Sequence, residues 1–136
     1  MGALAVATLA VLAALNSYSK ASKLAAAQPD PYGAASAQER FAAVSSQLPK
    51  DVPLGYISDL GLDQKAGVTA FLAAQYALAP HAVAPVDPAA PADWAVGNFA
   101  LPGDYPGAGA RLGYSVVADL GRGVLIFRRN IARNDK

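Results

Sequence analysis

The sequence predicts an α/β (or α+β) domain carried behind an N-terminal transmembrane helix. Three observations point there. The run from Gly2 to Leu15 (GALAVATLAVLAAL) holds no charged side chain, and the first charge in the chain is Lys20. Beyond Pro29, stretches with apolar residues at helical spacing alternate with short apolar stretches, the pattern of helices packed on a sheet. Two strong apolar stretches near the C-terminus, residues 114–120 and 124–128, are joined by Gly121-Arg122-Gly123, which reads as a hairpin. The expected domain holds a mixed sheet of four to five strands, two packed helices and that C-terminal β-hairpin.

The first 19 residues, Met1 to Ser19, carry no ionisable side chain except Tyr18. A helix of this length rises roughly 28 Å, close to the hydrocarbon thickness of a bilayer. The run is rich in Ala, so as a span it is minimal. Tyr18 would sit at the interface and Lys20 and Lys23 among the headgroups. Three readings compete: a signal-anchor helix, a signal peptide cleaved after the small-x-small site Ala25-Ala26-Ala27, and a helix buried in a soluble protein. The anchor is favoured, because that site lies well beyond the apolar core with two lysines between. Read literally, the two lysines after the helix place the following domain in the cytoplasm. Two prolines and a glycine in Gln28-Pro29-Asp30-Pro31-Tyr32-Gly33 then end the helix. The chain accordingly divides into a helix and stalk (1–27), a linker (28–35), a small α/β domain (36–129) and a flexible tail (130–136).

Within the domain, Ser36-Ala37-Gln38-Glu39 has the form of a capping box and opens a helix to about Leu48, with Phe41, Val44 and Leu48 on its apolar face. Residues 54–59 read as a strand. Asp63 is the expected N-cap of a second helix over 64–78, whose inner face is Val68, Phe71, Leu72 and Tyr76. Residues 81–84 read as a second strand. Strand, helix and strand in this order form a parallel βαβ unit. Pro85 to Ala92 (PVDPAAPA) is a stiff loop, residues 94–99 are a third strand, and 101–113 (LPGDYPGAGARLG) form a Gly/Pro loop before the hairpin.

Composition narrows the chemistry. A net charge of +1 gives no global electrostatic case for nucleic acid. The absence of cysteine removes disulfides, thiolate metal sites and cysteine nucleophiles, and the single histidine, His81, rules out a metal site built on two or three histidines. No cofactor or metal is expected. The 101–113 loop lacks the phosphate-cradling G-x-G-x-x-G pattern, and no G-x-S-x-G is present. The best ligand candidates are Ser58, Asp59 and Asp63, at the C-terminal end of the first strand, where open α/β sheets bind ligands. The favoured reading of Asp59 and Asp63 is nevertheless as turn and cap residues. His81 has no acidic orienter near it in sequence and reads as structural.

The chain's clearest charge asymmetry is C-terminal. From Arg111 onward there are six basic residues against two acids. Arg111, Arg122, Arg128 and Arg129 are the candidates for contact with anionic lipid or an acidic partner. The favoured reading is nevertheless a solvated edge and tail, charged to block pairing with other chains.

Three patches, Gly55-Tyr56-Ile57-Ser58-Asp59, Gln75-Tyr76-Ala77-Leu78-Ala79-Pro80, and Gly121-Arg122-Gly123-Val124 with the following Leu125-Ile126-Phe127-Arg128-Arg129, carry a resemblance. The chain resembles small bacterial membrane-anchored proteins. It also resembles the extracytoplasmic domains of multi-spanning, polyprenol-sugar-using glycosyltransferase-like membrane proteins. The resemblance implies an extracytoplasmic α/β domain at the inner or plasma membrane, accessory to envelope glycan assembly. With one candidate span and no acidic loop between spans, it implies an accessory rather than a transferase. The expected partners are the membrane, through Gly2 to Leu15, and other membrane proteins. A periplasmic ligand-binding or enzymatic module and a secreted globule are the alternatives.

Overall fold

The computed structural model describes residues 2–27, 30 and 33–130, with the backbone alone for residues 2–10 and 12. The chain divides into two compact units, Met1–Pro31 and Tyr32–Lys136. The first is built on α1 (Gly2–Ala27), one helix of 26 residues. Its composition explains its continuity: it is dominated by Ala and Leu, among the best helix formers, and holds no Pro and no Gly after Gly2. Val11, Leu15, Tyr18 and Leu24 on it are exposed. Among the described residues no helix is long and apolar enough to cross a membrane. The expected span, Gly2 to Leu15, falls largely on residues whose side chains lie outside that description. Most of the expected tail, residues 131–136, also lies outside it.

The second unit is α+β. Its elements are α2 (Ala34–Phe41), β1 (Leu54–Ser58), α3 (Lys65–Ala77), β2 (Val83–Pro85), β3 (Trp94–Asn98), α4 (Tyr105–Arg111), β4 (Tyr114–Asp119) and β5 (Val124–Arg129). The five strands form one mixed sheet in the order β2-β1-β3-β5-β4. β2 and β3 flank β1 and run parallel to it, with Leu54 opposite Val83 on one side and Trp94 on the other. β5 is antiparallel to both β3 and β4. The expected βαβ unit and C-terminal hairpin are both present.

Alternation along the strands divides the core into two layers. Leu54 and Tyr56 of β1, Val96 of β3, and Val124 and Ile126 of β5 pack with Phe41 and Val44, and with Ala74 and Leu78 from α3 and its C-cap. Ile57, Ala95, Leu125 and Phe127, on the other face, pack with Phe99, Tyr114 and, from α4, Tyr105 and Ala108. A bulge between Val116 and Ala118 interrupts the β4–β5 register. It moves Ala118 to the first layer while Tyr114 stays in the second, because one extra residue reverses the side-chain parity. At the edges, β2 is three residues long and ends in Pro85, and the bulge distorts β4. Both devices discourage pairing with further strands.

Several local expectations are corrected. The first helix of the domain begins at Ala34 behind Gly33 (φ 68°), so Ser36 and Glu39 lie inside it and not as a box at its start. It ends at Phe41, and tighter turns follow, with the Val44 N–H donating to Phe41 O and the Gln47 N–H to Val44 O. Phe41, Val44 and Leu48 are nevertheless all buried. Gln64, not Asp63, precedes α3, and no side chain caps that helix. The inner face of α3 is also rotated. Gly67 and Ala74 are buried and Phe71 packs against the core, while Val68, Leu72 and Tyr76 are exposed. At the start of the helix the fit is close: a Cβ at Gly67 would run into the carbonyl of Gly61. Finally, the 101–113 segment contains α4 rather than loop alone.

Candidate functional site

The sheet order creates a crevice at the carboxyl ends of β1 and β3. From β1 the chain passes through α3 to β2 on one side; it then returns to β3 on the other side of β1. α3, which follows β1, packs on the first core layer, and α4, which follows β3 on the way to β4, packs on the second through Tyr105 and Ala108. Connections leaving in opposite directions open the sheet at this point, where open α/β sheets bind ligands. A cleft of about 340 Å³ lies here, lined by Ser58, Asp59, Phe99, Asp104, Tyr105 and Arg111 among others. Two expected ligand residues and one expected partner-contact arginine thus share one site. Asp63 is exposed, just before α3, and does not line the cleft.

The polar groups of this cleft are largely engaged by the fold. The Ser58 hydroxyl donates to Asn98 O at 2.8 Å and accepts from the Leu60 N–H at 3.1 Å. The Asp59 carboxylate accepts from the Ala100 N–H (2.9 and 3.1 Å) and from the Leu101 N–H (2.7 Å). Asp104 Oδ1 accepts from the Gly107 N–H at 2.9 Å and so caps α4. The Tyr105 hydroxyl donates to Leu101 O at 2.9 Å, and its ring stacks on Phe99 with centroids 4.6 Å apart. Asp59 and Asp104 thus each hold backbone N–H groups and anchor the segments that border the cleft. The unengaged cation is Arg111, which makes no hydrogen bond or ion pair among the described residues.

The other arginines are distributed. Arg122 lies in the β4–β5 turn (φ 53°), 3.6 Å from Glu39, with both side chains well exposed. An exposed pair of this kind contributes little. Arg128 and Arg129 are at the far end of β5. Arg128 lies over the Trp94 ring, 5.3 Å from its centroid, and Arg129 Nη1 donates to Pro91 O at 3.2 Å. Roughly six strand residues, about 20 Å, separate the turn from that end. Arg122 therefore belongs to no single patch with Arg128 and Arg129.

Three polar side chains matter more than their sequence context suggests. Arg40 Nη2 donates to Phe99 O (2.8 Å) and Arg122 O (2.7 Å), clamping α2 to the ends of β3 and the hairpin. Its buried Nε has no hydrogen-bond partner among the described residues. Asn98, buried in the sheet, donates through Nδ2 to Tyr56 Oη at 2.9 Å. Asp104, followed by Pro106 in the first turn of α4, follows the rules for a helix start, and that pairing is the legible signal for α4. No local pattern marks Arg40 or Asn98, whose partners are distant in sequence.

His81 is buried with Nδ1 3.2 Å from Val52 O. A carbonyl can only accept, so Nδ1 carries the proton and the ring fastens the start of β2 to the segment before β1. Tyr114 is buried and donates to Ala92 O at 2.7 Å. Burial raises its pKa above the ordinary value, with Arg129 lowering it and Asp93 raising it further. Among the described residues no group of three or more His, Cys, Asp or Glu side chains is placed to hold a metal ion. No family model matches the chain, and no curated protein and no solved structure matches it significantly.

Proposed function

We propose that this chain is a single-pass, membrane-anchored, non-catalytic domain, a subunit or accessory of a membrane protein complex. The observation that carries this reading is the engagement of the crevice groups: Ser58, Asp59 and Asp104 hold backbone, leaving no acid–base pair facing the cleft. The anchoring part rests on α1, which is continuous over 26 residues and uncharged as far as Ser19. Placement of the domain on the extracytoplasmic side, and a role in envelope glycan assembly, rest on the sequence resemblance. The flanking Lys20 and Lys23 lean toward the cytoplasm. Purification of the full chain from native membranes tests the reading: a defined membrane protein co-purifies in fixed ratio. A chain that is extracted only as a monomer overturns it. A mature N-terminus lacking residues 1–27 establishes the secreted alternative.

A second reading, a ligand-binding module, is favoured by Arg111 in the cleft beside Ser58 and Asp59. Its ligand would be a small anion. Titration with inorganic phosphate and with acetate, followed by amide NMR shifts, tests it: shifts grouped at Ser58, Leu101 and Arg111 support the module, and an unchanged spectrum excludes it.

A further inference from the structure

α3 presents an apolar stripe to solvent. Val68, Leu72 and Tyr76 recur every fourth residue and are 41%, 56% and 60% exposed. Beside the stripe runs a groove of about 500 Å³, lined by Ala34, Thr69, Leu72, Ala73 and Tyr76. The Thr69 hydroxyl donates to Lys65 O at 2.9 Å, so it is satisfied within the helix. We propose that this face of α3 rests in the acyl–headgroup boundary of the bilayer to which α1 tethers the domain; the inference rests on the anchored reading above.

Three observations select a lipid surface as the occupant. The first is the tether. α1 ends at Ala27 and α2 begins at Ala34, and the six residues between them reach at most about 22 Å. Ala34 itself lines the groove, so the first helix of the second unit starts at the rim of the apolar face. The second is charge. α3 (KAGVTAFLAAQYA) carries no acid and a single base, Lys65, in its first turn, so it meets anionic headgroups without repulsion from its own length. The third is side-chain type: Val and Leu suit the acyl boundary and Tyr suits the interface. A helix lying in the membrane plane buries such a stripe about 5–10 Å deep.

The chain has no cysteine, so single reporter sites are simple to install. The full chain is reconstituted into phosphatidylcholine–phosphatidylglycerol vesicles. An environment-sensitive fluorophore is attached in one variant through Leu72→Cys, in a second through Tyr76→Cys, and in a control through Ala110→Cys on α4, which packs on the opposite sheet face. The expected result is quenching of the position-72 and position-76 probes by shallow doxyl lipids with loss of quenching by aqueous iodide. The control shows the reverse. If the vesicles float with the chain but all three probes stay open to iodide, the α3 inference fails and the anchor stands. Shielding of positions 72 and 76 from both quenchers reveals a protein contact and overturns the lipid assignment. A chain that does not float with the vesicles removes the anchor and this inference together.

Discussion

The Asp59 carboxylate, at the end of β1, receives the Leu101 backbone N–H at 2.7 Å. With the neighbouring Ala100 N–H it ties the first strand to the chain leaving the third. Removing the acceptor frees two N–H groups and loosens the entrance to α4. Asp59→Ala is expected to cost about 1–2 kcal/mol, in the range of a lost helix cap. Urea denaturation should show a lower midpoint with an unchanged slope. An unchanged midpoint would mean that water replaces the carboxylate without loss.

The Tyr56–Asn98 bond is buried within the sheet layer that α2 and α3 cover. Tyr56→Phe leaves the Asn98 amide without its acceptor, and the expected loss is about 1–2 kcal/mol. In a double-mutant cycle with Asn98→Ala the two changes should be sub-additive by roughly 1 kcal/mol. Strict additivity would show that the bond contributes nothing of its own.

Gly109, the buried residue of α4, lies against the Phe127 ring, and a Cβ there would collide with the ring edge. Phe127 is fully buried and cannot swing away without disturbing the second core layer. Gly109→Ala is therefore expected to destabilise by about 1–3 kcal/mol through overpacking, although Ala is the better helix former. A rise in thermal midpoint would mean that propensity outweighs the clash.

Tyr114 gives a pH dependence of known sign. Its folded pKa lies above the ordinary value of 10.0 because burial opposes the phenolate. The folded state thus holds the proton more tightly than the unfolded chain. Its contribution to stability is complete below pH 10 and is lost as pH rises through the higher folded value. Tyr114→Phe removes the bond to Ala92 O and costs about 1 kcal/mol at neutral pH. The gap between wild type and variant should narrow above pH 10, as read by urea midpoints across the range. A gap that widens with pH would reverse the assigned shift.

How much of this was legible depended on range. The hairpin around Gly121-Arg122-Gly123, the βαβ unit and the burial of Phe41, Val44 and Leu48 follow from period and turn chemistry confined to short windows. α4 was legible in principle from Asp104 and Pro106, but the glycines at 103, 107 and 109 hid it. Two of those glycines are required for contact: Gly107 leaves room for the Asp104 cap, and Gly109 for the Phe127 ring.

The sequence by itself determined the five strands, two of the domain's three helices in outline, the uncharged N-terminal run and the narrow chemical inventory, because each is a property of neighbouring residues. Only the tertiary structure decided that β3 lies between β1 and β5, and which face of α3 turns inward. Both are set by packing between segments far apart in the chain: the face of α3 that turns inward is the one carrying Phe71 and Ala74, which meets the Tyr56 layer of the sheet. The same holds for Asp59. As a strand-end acid it reads first as a turn residue and second as a ligand group; its partners 41 and 42 residues away make it a structural anchor.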